Sequence, residues 1–354
     1  MIKSILSNEI LSKIVSIERL CERFVGIRIP VALTNRLRKN SMKKKSSAST
    51  RIEGNPLSEE QASEAIESSK RHFLKPEQEV RNYFGALQEL EVARQKKEPF
   101  SKELVLRIQA RVVRGESREK IGFRGPMPPG VLFAVYDMAT GAPDYIPPEA
   151  SEIPSLVDEL VAYVRDSDDH PLVKAAIVHY QLVTIHPFED GNGRTARLMS
   201  DYLLSLNGYS FNGIGSLEEY FAYDIDEYYR SLQMGLPALY YDGRENPPHP
   251  EIWIGYFLRM VELHAKKVLE IASQSAKRQE TESLSHLTDK ERAFLAYLRR
   301  SGREEFSPIS CAAHFHVSNR TIINWCAGLC RNGFLVPSGE GRRIRAYCLT
   351  PMAK

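Results

Sequence analysis

The chain has 354 residues, of which 42% are hydrophobic and 26% charged, with a formal net charge of +3. This is the composition of a globular protein long enough for a large core and more than one domain. The charge is too small to define a polyanionic partner. No stretch approaches the roughly 18 consecutive apolar residues that cross a bilayer, so no membrane partner is expected. Ile5 and Leu6 are soon followed by Asn8, Glu9 and Lys13, unlike the unbroken apolar core of a secretory leader. Five cysteines, an odd count without paired spacing, fit a reducing compartment, and a cytoplasmic location is expected.

Ile10, Ile14, Ile17, Leu20 and Phe24 recur at helical spacing and predict a first helix, which Pro30 interrupts. A basic run follows, Arg36 to Lys39 and Lys43 to Lys45. It is short enough to be read as a solvated helix face or flexible arm rather than a nucleic-acid contact. Ser49-Thr50-Arg51-Ile52-Glu53-Gly54 reads by itself as a helix end, with Gly54 just past the cap. Helical patterns are predicted over 58–73, 76–97 and 102–113. Beyond Gly122-Phe123-Arg124 and the prolines at 126, 128 and 129, residues 130–136 are β-prone and 137–141 carry turn residues. A return strand is predicted over 142–146, before Pro147 and Pro148. Ser151 is read as the cap of a helix over 151–164, with Pro154 in its first turn.

An apolar helical run over 172–185 leads into His186-Pro187-Phe188-Glu189-Asp190-Gly191-Asn192-Gly193-Arg194-Thr195-Ala196-Arg197, and a second apolar run over 198–206 follows. The pattern predicts two helices joined by a loop whose glycines open the second helix. Backbone N–H groups at such a start make a concavity for phosphate oxygens. Arg194 and Arg197, three positions apart, emerge on one side and offer charge-assisted contacts. Asp190 supplies a hard oxygen suited to Mg²⁺, which bridges protein to substrate phosphates. His186 suits the removal of a proton from a hydroxyl.

This segment resembles the signature of the Fic family, HxFx(D/E)GNGRxxR, with every fixed position filled. The resemblance implies an all-α Fic fold with a small β-hairpin flap, and a protein adenylyltransferase that moves AMP from ATP onto a Ser, Thr or Tyr hydroxyl of a target protein or of the chain itself. It implies His186 as the base, Phe188 as the loop's anchor and Asp190 as the Mg²⁺ ligand. Gly191, Asn192 and Gly193 would form the anion hole, Arg194 would grip the phosphates and Arg197 the γ-phosphate. Ser49 to Gly54 is similar to the family's inhibitory pattern, (S/T)xxxE(G/N), here upstream in the same chain. Glu53 would then compete with the γ-phosphate for Arg197, and Ser49 would help position the helix. The hairpin would be the flap that aligns a target by strand addition.

A helix is predicted over 217–234. By the same resemblance Tyr229, the second of the Tyr228-Tyr229 pair, would pack on adenine, while Leu236 stands where a polar residue often contacts the base. A homodimer is expected, as in relatives. Two further readings remain: a DNA-binding regulator whose Fic body senses nucleotide, and an enzyme that removes AMP, with Glu53 positioning water. A phosphate-transferring relative would carry lysine where Gly193 stands.

A long amphipathic helix is predicted over 253–272 and a polar linker over 273–285. In the tail, helices are predicted over 292–299, 308–315 and 319–331, the last capped by Ser318, with strands over 333–336 and 345–349 around a tip at 339–343. The tail resembles a winged helix-turn-helix (α+β) domain, with Asn319, Arg320, Thr321 and Asn324 on the third helix and Arg342, Arg343 and Arg345 near the tip as DNA-facing candidates. Cys311, His314, His316, Cys326, Cys330 and Cys348 contain no CxxC pair and are read as packing residues rather than a zinc site. The expected organisation is therefore an N-terminal helical region (1–100), a Fic core (101–272), a linker (273–286) and the winged domain (287–354).

Overall fold

The computed structural model describes residues 7–27, 29–115, 120–136, 141, 143–239, 244, 246–303, 305–338 and 346–350. The chain divides into two compact units, residues 1–25 with 30–269, and residues 26–29 with 270–354. In the first unit α1 (Asn8–Val25) buries Ile10, Ile14, Ile17, Leu20 and Phe24, the predicted stripe. It is followed by α2 (Val31–Ile52), α3 (Glu59–Glu67), α4 (Lys75–Gln95), α5 (Lys102–Val112) and α6 (Ile153–Asp166). The centre is α7 (Pro171–Ile185), buried on every side, and α8 (Asn192–Leu206), which folds back against it. A helix this largely apolar belongs in the core, and the rest of the unit packs around these two.

The basic run is a helix face rather than a flexible arm, partly solvated at Lys39 and Lys44. It lies within α2, where Lys43 pairs with Glu67 at 2.7 Å, Lys44 with Glu219 at 3.0 Å and Lys45 with Asp201 at 2.6 Å. α2 is polar yet buried from Ser41 to Ile52, apart from Met42, Lys43, Lys44 and Arg51. Small hydroxyl residues let it approach the body closely. Ser41, Ser46 and Thr50 satisfy themselves by donating to the carbonyls of Leu37, Met42 and Ser46, one turn back, at 2.8, 2.8 and 2.9 Å.

Several expected boundaries move, each for a local reason. α3 ends at Glu67 rather than near 73, because Arg81 caps the carbonyls of Ala65 and Ser68 at 2.6 and 2.9 Å. Ser151 does not cap α6. Glu152 holds that position without a side-chain bond, while Pro154 is in the first turn as predicted. The helix over 217–234 breaks into α9 (Glu218–Tyr223) and α10 (Ile225–Gln233), since the Asp224 carboxylate accepts from the Glu227 N–H at 2.8 Å and starts a new helix. The hairpin is shorter than predicted: β1 (Val135–Tyr136) pairs antiparallel with β2 (Pro143–Tyr145), and the turn at 137–140 with residue 142 lies outside the described residues.

The polar stretch over 273–285, expected to be a linker, is helical. α11 runs unbroken over Pro250–Ser285, because the stretch lacks Gly and Pro and is rich in good helix formers. In the second unit α12 (Asp289–Ser301), β3 (Glu305–Phe306), α13 (Pro308–Phe315) and α14 (Asn319–Arg331) precede β4 (Leu335–Ser338) and β5 (Ala346–Leu349). The sheet has the order β3-β5-β4, all antiparallel. Ser318 caps α14 by accepting from the Thr321 N–H at 3.2 Å. Strand β3, only two residues long, has no periodic signal to betray it. The predicted tip at 339–343 and Arg345 lie outside the described residues. Cys311 and Cys326 are buried, and all five cysteines are free thiols. No described helix is long and apolar enough to cross a membrane.

Replacing Lys45 by Ala would leave Asp201 beside buried Glu218, whose carboxyl burial already pushes up. Removing one partner of such a pair costs about 3 kcal/mol at the low end of the range for buried pairs, fitting because Asp201 is 23% exposed. Urea denaturation measures this, and a loss below ~1 kcal/mol would contradict the structural role given to the pair.

Candidate active site

The corner between α7 and α8 carries the motif. α7 is terminated by His186 itself, in the left-handed region with φ 47 and ψ 57, a conformation unfavourable for a non-glycine residue and held here by its surroundings. Arg124, 4% exposed, donates from Nε to the His186 carbonyl at 2.9 Å and also holds the Pro148 carbonyl. Its N–H donates to the Pro187 carbonyl at 2.9 Å, while Phe123 stacks on buried Phe188. From inside, Asn192 Nδ2 donates to the Phe188 carbonyl at 2.8 Å and Asn192 Oδ1 accepts from the Phe188 N–H at 2.9 Å. The Asn192 side chain therefore braces the loop, leaving only its backbone N–H for an anion.

The His186 ring has a defined tautomer. Nδ1 lies 3.3 Å from the Val183 carbonyl, which can only accept, so Nδ1 carries the proton and Nε2 the lone pair. Nε2 has no hydrogen-bond partner among the described residues. Burial pushes the imidazole down to about 4, against the Val183 hydrogen bond that favours its charged form, so it is neutral at pH 7.

Behind the loop, Gly191 caps α8 at φ 83, a backbone conformation that favours glycine, and Val112 and Val113 would crowd any Cβ there at 3.1 Å. The first N–H groups of α8 have no helical partner. Arg194, 6% exposed, donates from Nη2 to Asp190 Oδ1 at 2.7 Å, and its Nε is a buried donor without a partner. Asp190 Oδ2 receives Lys120 Nζ at 3.2 Å. Despite partial burial, these two cations hold the Asp190 carboxyl below its usual range.

Arg197 joins the corner to the distant helix α2. It is 2% exposed, yet it donates from Nε to Ser49 Oγ at 2.7 Å, and from Nη2 to the Ser49 carbonyl at 3.0 Å and Glu53 Oε1 at 2.6 Å. Burial opposes its charge, but Glu53 and its other neighbours raise its affinity for the proton. Glu53 ends α2, and Gly54 follows at φ 81. The Gly54 and Asn55 N–H groups return to the carbonyls of Arg51 and Thr50, a Schellman closure that fixes where the carboxylate points. A Cβ placed on Gly193 would land on Glu53 Oε1, so that carboxylate fills the space over the helix start. Its own side chain is 33% exposed, so it sits at the mouth while the guanidinium stays inside.

Tyr229 is 42% exposed, and burial followed by the charge of Glu53 pushes its phenol up, which ties it electrically to this corner. Its ring meets that of Tyr228 at 5.1 Å. Sequence reasoning missed three polar residues around the site. His179, two turns before His186 on α7, is fully buried, with Nε2 2.8 Å from Tyr228 Oη and Nδ1 3.3 Å from Ser200 Oγ. Tyr83 lies buried where Arg197 and Ser49 act on its hydroxyl. Lys120 gave no pattern signal. For His179 a signal existed: a titratable residue in a largely apolar helix, at a spacing that places it on one face with His186.

Residues 99–204 match the family model described as Fic/DOC family, a stretch that contains the whole His186 to Arg197 motif and excludes Ser49 and Glu53. Residues 99–204 thus form a Fic domain, and the first unit is predominantly helical with a Fic fold. Among curated proteins it is similar to Protein adenylyltransferase Fic of Aedes aegypti, 40% identical over 68 residues, covering 18% of this chain and 14% of that protein. Its likeness to Protein adenylyltransferase Fic of Nematostella vectensis is 39% over 69 residues, covering 19% and 16%. The chain thus spans only a small part of the length of the curated relatives it matches. Among solved structures it resembles a Fic family protein from Desulfovibrio desulfuricans G20, with a TM-score of 0.59 at 21% identity, covering 99% of this chain and 98% of that one. Fic-1 from C. elegans aligns with a TM-score of 0.58 at 23% identity, covering 76% and 73%. At such identities the likeness shows the fold.

Ser49→Ala would strip the buried Arg197 Nε of its acceptor. Leaving a buried donor unpaired costs about 1–3 kcal/mol. Thermal or urea unfolding of that variant measures it, and wild-type stability would show that water or another side chain satisfies the guanidinium.

Proposed function

We propose that this protein is an adenylyltransferase, moving AMP from ATP to a Ser, Thr or Tyr hydroxyl of a protein, and that Glu53 inhibits it in cis. The single observation that carries the reading is the contact of Glu53 Oε1 with Arg197 Nη2 at 2.6 Å directly over Gly193. A carboxylate occupies the place where an incoming phosphate would meet both a guanidinium and a helix N-terminus. The partnerless Arg194 Nε supports the same reading, as a buried donor that awaits an acceptor.

The geometry supports the following roles. The hydroxyl oxygen attacks the α-phosphorus as His186 Nε2 takes its proton, and the bond to the bridging oxygen breaks, releasing pyrophosphate. The N–H groups at the start of α8 face the developing charge, while Arg194 and Arg197 hold the leaving phosphates. Tyr229 would lie against the base and the β1–β2 hairpin would align the target. Mg²⁺ fits as a partner of Asp190, a lone hard carboxylate beside a phosphate cradle, with the ion's other ligands coming from phosphate and water. It would supply charge neutralisation. Among the described residues no group of three or more His, Cys, Asp or Glu could hold a metal by itself, and Lys120 must release Oδ2 for the ion to bind there.

For the second unit we propose a winged helix-turn-helix, supported by its helix-strand-helix-helix-strand-strand order. Exposed Asn319, Arg320 and Asn324 on α14 would suit duplex DNA as a second partner, and exposed Ile309 and Ile323 would suit a protein.

Incubation with Mg-ATP followed by intact-mass spectrometry tests the central reading. Glu53→Gly should add AMP at least tenfold faster than wild type, since a charged hydrogen bond of about 1.5–3 kcal/mol is removed from the competing state. Adding His186→Ala should cut that rate by about 10²–10⁴. Transfer unaffected by His186→Ala would remove the base assignment.

The pH profile is a second check. A base depressed to about 4 is neutral above that pH, so the rate of Glu53→Gly should stay flat on acidification until pH approaches 4 and fall below it. An acid limb centred near the ordinary histidine value of ~6.5 would mean that the ring is solvated in the working enzyme.

A further inference from the structure

Away from this corner, the first unit contains a cavity of about 570 Å³ between the end of α3, α4 and the end of α5. Lys70, Arg71, Arg81, Arg111 and Arg114 all line it, and among the described residues no carboxylate does. Its size falls within that of small-molecule sites, and it shares no lining residue with the His186 corner.

Five cations around one concavity repel each other unless something neutralises them. Arg81 is partly committed, since it caps α3 and lies 3.9 Å from the Phe73 ring centroid. The other four make no ion pair among the described residues. Arg111 is the most telling. Its guanidinium occupies the space that a Cβ on Gly85 of α4 would take, so the glycine lets it rest there. Burial and the neighbouring charge of Arg114 lower its affinity for the proton against the opposing charge of Glu89, which forms its ion pair with Arg107, and a guanidinium does not discharge at neutral pH. The frame beneath is rigid: Asn82 Nδ2 donates to the carbonyls of Val112 and Arg114 at 3.0 and 2.7 Å, and Asn82 Oδ1 accepts from Gln78 Nε2 at 2.7 Å. The two arginines of α5 and its end are thus presented from a fixed edge.

We propose that this cavity is a binding site for a small anion carrying two or more phosphate groups, held chiefly by Arg111, Arg114 and Arg71. Planar forked donors match phosphate oxygens bidentately, and three unpaired cations exceed what one carboxylate would neutralise. Val112 and Val113, beside these arginines, also close on Gly191, so an occupant would brace the wall behind the α8 loop.

Isothermal titration with pyrophosphate at low ionic strength tests the proposal, using the Arg194→Ala protein so that the His186 corner contributes little. Binding should be seen there, weaken at least tenfold in Arg111→Gln/Arg114→Gln on that background, and weaken measurably in Arg71→Ala, whose exposed side chain can be lost without disturbing the fold. Inorganic phosphate should bind more weakly than pyrophosphate, and an acidic peptide hardly at all. No binding to Arg194→Ala, binding indifferent to Arg111 and Arg114, or equal binding of the acidic peptide would each overturn it. Loss of AMP transfer in other variants bears only on the His186 corner and leaves this result untouched.

Discussion

A guanidinium buried to 2% exposure is costly unless every donor finds an acceptor, and Arg197 finds its acceptors on a helix 148 positions upstream. That requirement ties the architecture to the chemistry. α2 must lie against α8, which explains a helix that is polar in composition yet buried in place. Its serines give close approach, Lys45 neutralises Asp201, and the Schellman closure at Gly54 sets the angle from which Glu53 arrives. Arg197 is inside and Glu53 is at the rim, so the carboxylate can leave without exposing the core, whereas the guanidinium cannot.

Around this contact the corner is built for alignment. Arg124 braces it from the outside and Asn192 from the inside, while the left-handed His186 aims its ring with Nδ1 fixed on Val183. The cost of a strained residue is offset by these fixed partners. The same enclosure that orders the imidazole keeps it neutral. Asp190 is held by Arg194 and Lys120, and the Glu53 carboxylate lies over Gly193; on the proposed reading both contacts would have to open for a metal and a triphosphate.

The central hairpin of α7 and α8 was legible because apolar runs flank a dense polar motif, and α13 and α14 because Ser318, Pro308 and the apolar spacing mark their ends. The environment of Arg197 was legible only through its resemblance to a paired motif, since nothing local in Ser49 to Gly54 announces a partner 144 positions away. What eluded the sequence has two physical causes, tertiary override of composition and local helix propensity masked by polarity. The lysines of α2 look solvated until Asp201, Glu219 and Glu67 are folded onto them. Residues 273–285 look like a tether because polarity is read before helix propensity. His179 hides in an apolar helix because its partners, Tyr228 and Ser200, come from elsewhere in the chain.

A crystal structure of the Glu53→Gly protein with Mg²⁺ and a non-hydrolysable ATP analogue would bear most directly on the shared use of Arg197. The account predicts the γ-phosphate on Arg197 in the space vacated above Gly193, with the α-phosphorus facing His186 Nε2. A nucleotide bound elsewhere, or an Arg197 that stays on Ser49 alone while the triphosphate passes it by, would contradict it.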